Sequence, residues 1–226
     1  MRECCRICEQ LQFDQTDLEA NPWNTILFES PNFVVMPTLG AIVEGWTLIV
    51  SKKHYLCMGA LEENFSPELT ELTNFISRAL TECYGQVANF EHGPSQPKQL
   101  VGCGVDHAHL HVVPIEKNLI KGVESIFKKH LIWNKVNNLK DAADYYDKGV
   151  PYLYVDQPTS GAFLTTDSEI PSQLFRKVIS FYSGQPDRYN WRSFPEKENV
   201  IATINTIENW KIKNGIETFI QPAGVI

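Results

Sequence analysis

The chain has 226 residues, 43% apolar and 21% charged, an ordinary globular composition with enough length to bury a sizeable core. A formal charge of −7 argues against a surface built for long nucleic acid, while leaving room for a small anionic substrate at a locally positive site. No apolar run approaches the roughly 18–20 residues of a membrane-crossing helix, the N-terminus lacks the apolar stretch of a secretion signal, and the six cysteines are poorly placed for a disulfide scaffold, so a cytoplasmic protein without membrane association is expected.

Asn24 to Glu29 and Phe33 to Met36 read as strands joined by a turn at Ser30-Pro31-Asn32, and Trp46 to Val50 reads as a third. Ser66 as N-cap and Pro67 at the first helical position predict a helix with Leu69, Leu72, Phe75, Ile76 and Leu80 on its apolar face, ended by Gly85. Gln86 to Glu91 is the fourth predicted strand, residues 92–104 a loop, and His107 to Val113 the fifth strand. Strands in this order around one long helix predict an α+β domain with a mostly antiparallel five-stranded sheet over residues 1–115. Residues 116–226 read as a C-terminal α/β extension. It has a hairpin of Tyr152 to Val155 with Ala162 to Thr165, a helix opened by Pro171-Ser172 and stopped by Gly184, and a helix from Glu196 to Lys211.

Half of the six histidines fall at alternate positions in the fifth strand, at His107, His109 and His111. Side chains two apart on a strand share a face, so the three imidazoles line up while Ala108, Leu110 and Val112 pack the other side. Imidazole titrates nearest neutrality, and such a row suits proton handling, nucleophilic attack or metal ligation. The alternative of an idle histidine-rich edge fits poorly with the apolar flanks. Cys5-Arg6-Ile7-Cys8 is a C-x-x-C pair, a spacing shared by metal sites, redox motifs and chance arrangements.

The His-x-His-x-His-x-x pattern with apolar x resembles the histidine triad (HIT) superfamily. The stretch Val35 to His54, with Gly45-Trp46-Thr47-Leu48 and Ser51-Lys52-Lys53-His54, is similar to that family's first hairpin, which carries Gly-His-Thr-Leu and then Pro-Lys-x-His. Gly102-Cys103-Gly104-Val105 occupies the glycine-bearing approach to the triad. The likeness covers about residues 4–115. It implies a nucleotide hydrolase or nucleotidyltransferase acting on the α-phosphate of a nucleotide conjugate, such as a phosphoramidate or dinucleoside polyphosphate. His109 would be the nucleophile that carries a covalent nucleotide, and His111 would contact phosphate oxygens or protonate the leaving group. Backbone N–H groups from Gly102, Cys103, Gly104 and Val105 are expected to face the phosphorus oxygens.

Two departures from the pattern bear on the substrate. Cys103-Gly104 replaces the polar pair common before the triad, and Thr38 stands where many members place an acidic residue against the ribose. Several members complete an N-terminal cysteine pair with the histidine after the first hairpin and the first triad histidine, which implies a structural zinc on Cys5, Cys8, His54 and His107. A homodimer is among the assemblies the resemblance implies. Two other readings stay open: a metalloenzyme holding one catalytic ion on all three histidines, and a catalytically silent nucleotide-binding module. Glu91 and His92 are candidates to approach the phosphate. Arg176 and Arg192 suit either a phosphate or a surface ion pair.

Overall fold

The computed structural model describes residues 5–12, 18–102 and 104–220. Cys103 lies outside the described residues. In chain order the elements are α1 (Arg6–Leu11), β1 (Phe28–Glu29), β2 (Phe33–Pro37), β3 (Thr47–Ser51), α2 (Ser66–Tyr84), β4 (Val87–Gly93), β5 (His109–Pro114) and α3 (Leu119–Phe127). Then follow β6 (Asn134–Val136), α4 (Ala143–Asp147), β7 (Tyr152–Gln157), β8 (Gly161–Thr165), α5 (Leu174–Tyr182) and α6 (Lys197–Asn214).

The strands form one eight-stranded sheet in the order β1-β2-β3-β5-β4-β7-β8-β6, with every pair antiparallel. The expectation of five strands is corrected here. The five predicted strands fill one end, and β7 takes up the other edge of β4, with Asn89 opposite Asp156 and Gly93 opposite Tyr152. An open edge of β4 would leave a row of backbone donors and acceptors unpaired. The predicted hairpin of β7 and β8 satisfies them, so residues on either side of position 116 share one sheet.

Alternation sorts the side chains to two faces. Ala108, just before β5, and Leu110 and Val112 of β5 join Tyr152 and Tyr154 of β7 beneath Leu69, Leu72 and Ile76 of α2. On the other face Ala88 and Phe90 of β4 and Leu153 and Val155 of β7 pack with Trp46 against Leu119 and Val123 of α3 and Phe175 and Val178 of α5. His109 and His111 point to this second face. Their strand forms because β-branched and apolar neighbours alternate with them, buried on both sides.

Details of the helices differ from the sequence reading. A 3-10 turn at Glu63–Phe65 runs directly into α2, so Ser66 is already helical and makes no capping hydrogen bond. The α1 and α3 helices were not anticipated. The Asn118 side chain caps α3 by accepting from the Lys121 N–H at 2.9 Å. Among the described residues no helix is long and apolar enough to cross a membrane.

Glu91 lies on the α2 face, away from the histidines, because β4 continues through Gly93 and alternation turns Glu91 from Phe90 and His92. Its carboxylate accepts from the Met58 N–H at 2.6 Å and the Tyr152 hydroxyl at 2.5 Å. Burial raises its pKa from 4.5 to about 7, so the folded chain holds this proton more tightly than the unfolded chain. The associated stability is full below about pH 4.5 and is lost as pH rises through 7, a change of roughly 3 kcal/mol. Glu91→Gln keeps the shape and removes the titration. Denaturant unfolding of both proteins from pH 4 to 8 should therefore show the variant gaining on the wild type by about that amount. A constant difference across the range would refute the assignment.

Candidate functional site

The segment entering β5 sets the chemistry. The Ala108 N–H donates to the Tyr55 carbonyl at 2.8 Å and the Ser51 N–H to the Ala108 carbonyl at 3.2 Å, which ties this segment to the end of β3 and its continuation. That places His107 beside His54, with ring centroids 5.0 Å apart. Cys5 precedes α1 and Cys8 lies in its first turn, so a spacing of three brings both sulfurs to one side. The donor atoms of Cys5, Cys8, His54 and His107 all lie within 4.8 Å of one another. Cys5 Sγ is 3.4 Å and Cys8 Sγ 3.5 Å from His107 Nδ1, and Cys8 Sγ is 3.4 Å from His54 Nδ1. A tetrahedral ion with S and N ligands at zinc distances would separate those atoms by about 3.5 Å. The Nε2 of His107 faces the Ser51 carbonyl at 2.7 Å, an acceptor only, so the proton sits there and Nδ1 turns a lone pair toward the sulfurs. The four residues therefore form a group whose geometry and tautomer suit a metal ion.

His109 and His111 stand apart from that group, with rings 5.0 Å from each other. His109 Nδ1 lies 2.6 Å from the His107 carbonyl, and it must donate there because a carbonyl only accepts. Its Nε2 is left with a free lone pair. His111 has the opposite tautomer, because the Trp46 indole N–H donates to its Nδ1 at 3.0 Å. The proton of His111 is forced onto Nε2, which is buried without a partner. One unprotonated nitrogen and one N–H donor thus sit side by side. Burial lowers the pKa of both rings and keeps them neutral, and His92, Arg176 and His109 add like-charge repulsion at His111.

Around this pair, His111 stacks on Phe90 at 4.5 Å, and the Phe175 N–H donates to His92 Nε2 at 3.3 Å, so His92 is fixed beneath the site. Burial pushes His92 down to about 3. Arg176, expected at the surface or on a phosphate, is buried instead. Its guanidinium stacks 4.7 Å over Trp46, donates to the Tyr189 carbonyl at 2.8 Å, and donates to the Gly40 carbonyl. It holds α5, the turn after β2 and the segment before α6 together at the histidines.

A cavity of about 60 Å³ opens onto His109 and His111 and is lined also by Thr38, Val105, Arg6 and Trp191. It meets a groove of about 1010 Å³, which Gly102, Gly104 and Arg192 line together with Val105, Arg6 and Trp191. Of the predicted contact residues, Thr38 and Val105 reach the cavity while Gly102 and Gly104 lie along the groove. Trp46, Arg6 and Trp191 were not singled out from the sequence. Trp46 had a signal, because it stands where the resemblance places a histidine.

The role of Trp46 is measurable. Trp46→Phe removes the N–H that dictates the His111 tautomer, so nitrogen-resolved NMR should show a single Nε2–H form in the wild type and a mixture in the variant. An unchanged single tautomer would show that another group sets it.

No family model matches the chain. It is 27% identical over 168 residues to zinc finger CCCH domain-containing protein 64 of Arabidopsis thaliana, covering 68% of this chain and 27% of that protein. The chain thus spans about a quarter of the length of that curated relative. Among solved structures it is similar to a hypothetical histidine triad nucleotide-binding protein of Sulfolobus tokodaii, at 14% identity and a TM-score of 0.38, with 84% of this chain and 87% of that one covered. It is also similar to a hypothetical protein of Leishmania major, at 19% identity and a TM-score of 0.41 over 66% and 94% of the two chains. A zinc-bound histidine triad family protein of Mycobacterium smegmatis is similar at 18% identity and a TM-score of 0.37 over 64% and 91%. What the site of this chain can do is carried by its own geometry.

Proposed function

We propose that this protein is a nucleotide hydrolase or nucleotidyltransferase that attacks the α-phosphate of a nucleotide conjugate through His109. The observation that carries this reading is the hydrogen bond from His109 Nδ1 to the His107 carbonyl at 2.6 Å, which leaves Nε2 as the unprotonated nitrogen of a ring that lines the cavity. In the first step the Nε2 lone pair forms a bond to phosphorus as the bond to the leaving group breaks, and the leaving group departs with the electron pair. In the second, water or another acceptor attacks phosphorus and loses a proton, and the P–N bond returns its electrons to Nε2. The Nε2–H of His111 donates to a phosphoryl oxygen as negative charge builds on it. The small cavity takes the phosphoryl group, and the wider groove has the volume for the remainder of the conjugate.

The four-residue cluster is assigned to zinc, in a closed structural role on Cys5, Cys8, His54 and His107. A bound ion there would hold α1 on the sheet, where Ile7 already packs against Val34, Met36 and Val50. The three-histidine metalloenzyme fits less well. His107 offers its lone pair to the cysteines, and the Nδ1 of His109 is occupied by a carbonyl. The experiment that decides the function is a screen of nucleotide conjugates for turnover and for a trapped covalent adduct, compared between wild type and His109→Ala.

A further inference from the structure

We propose that Arg6 and Arg192, both stacked on Trp191, form an anion subsite for phosphates on the leaving group, so that the substrate is a nucleotide joined through its α-phosphate to at least one further phosphate. The proposal rests on the His109 reading and narrows its substrate class.

The arrangement is built from two ends of the chain. The Arg6 guanidinium lies 4.7 Å from the Trp191 ring centroid and that of Arg192 lies 4.2 Å from it. Neither makes an ion pair with a carboxylate among the described residues. Both guanidiniums line the groove and their like charges repel each other, a repulsion that an anion in the groove offsets. Guanidinium groups offer planar, paired donors that match phosphate oxygens.

Two glycines make the seat. Gly40 and Gly104 each have φ of +75°, in the left-handed region where other residues are strained. A Cβ on Gly40 would lie 2.6 Å from the Trp191 Cβ, and a Cβ on Gly104 would lie 2.6 Å from an Arg192 guanidinium nitrogen. Arg192 also donates to the Gly104 carbonyl at 3.3 Å. At both places the Trp191-Arg192 segment lies so close to the backbone that a side chain would have no room.

The location fits the end of a phosphate chain. Arg6 and Trp191 line both the cavity of His109 and the groove, so a chain leaving the cavity passes them. Among the described residues no carboxylate lines the cavity. Asp106 is the one acid among the described residues of the groove, and its carboxylate accepts the Lys98 backbone N–H at 2.8 Å.

Calorimetric titration of the full chain with inorganic pyrophosphate tests the subsite without turnover. Wild type should bind, and Arg192→Gln and Arg6→Gln should each weaken binding about tenfold or more with unchanged melting temperature. Arg192 is exposed, so its variant folds even if Arg6→Gln disturbs α1. In turnover, Arg192→Gln should lower kcat/KM about tenfold for diadenosine tetraphosphate and leave adenosine 5′-phosphoramidate within about twofold. Equal pyrophosphate affinity in wild type and Arg192→Gln, no binding by wild type at millimolar concentration, or equal losses on both substrates would overturn the proposal. Absence of all turnover beside arginine-dependent pyrophosphate binding would instead remove the His109 reading and support the subsite.

Discussion

His109→Ala is expected to lower turnover of any productive nucleotide conjugate by roughly a thousandfold or more and to eliminate the covalent adduct, because it removes the atom proposed to bond to phosphorus. The fold should survive. His109 is packed on the second face of the sheet, but among the described residues its side chain makes one hydrogen bond, to a backbone carbonyl two residues away. The loss should lie in kcat, since His111, Arg6 and Trp191 still line the cavity proposed to bind the conjugate. Wild-type turnover in a folded His109→Ala protein would end the mechanism. The same experiment separates an enzyme from a silent binding module, because a module would bind nucleotide equally well with and without this ring. Intact-mass spectrometry of acid-quenched wild type, incubated with a slow conjugate, should show one added nucleotidyl group, absent in the variant.

The second large effect concerns the N-terminus. Cys5→Ser with Cys8→Ser is expected to reduce zinc from about one ion per chain to none and to release α1 from the sheet. The α1 helix has six residues and buries only Ile7, far short of what holds an isolated helix together in water. Structural zinc sites contribute several kcal/mol or more, so loss of the ion should outweigh the Ile7 contact. Hydrogen exchange should then accelerate over residues 5–12 while β2 through β5 stay protected. Arg6, Ile7 and Gln10 line the cavity, so release of α1 also opens the histidine pair to solvent. Equal zinc in both proteins would rule the site out.

Much of this site was legible in the chain. The alternation at His107, His109 and His111 announces a strand with one polar face, and the apolar residues between them require the other face to be buried, as it is. Cys5 and Cys8 are singled out by a spacing that metal sites share with redox motifs, and the resemblance joins them to His54. The three histidines nevertheless do different things. His107 precedes the strand and turns toward the cysteines, while His109 and His111 stay on the sheet face with opposite tautomers. Nothing in the pattern distinguishes them, because a tautomer depends on whichever donor or acceptor the fold delivers to the ring.

The sequence alone determined the local order: short strands, the long α2, the later hairpin and the histidine alternation. These follow from periodicity and turn chemistry within windows of ten to twenty residues. Only tertiary structure decided that β7 completes the edge of β4, that Glu91 faces away from the histidines, and that Arg176, Trp191 and Arg192 come back over them from more than sixty positions downstream. Pairing and burial at that separation depend on how two faces of one sheet are covered, a competition among all the elements at once that no local pattern encodes.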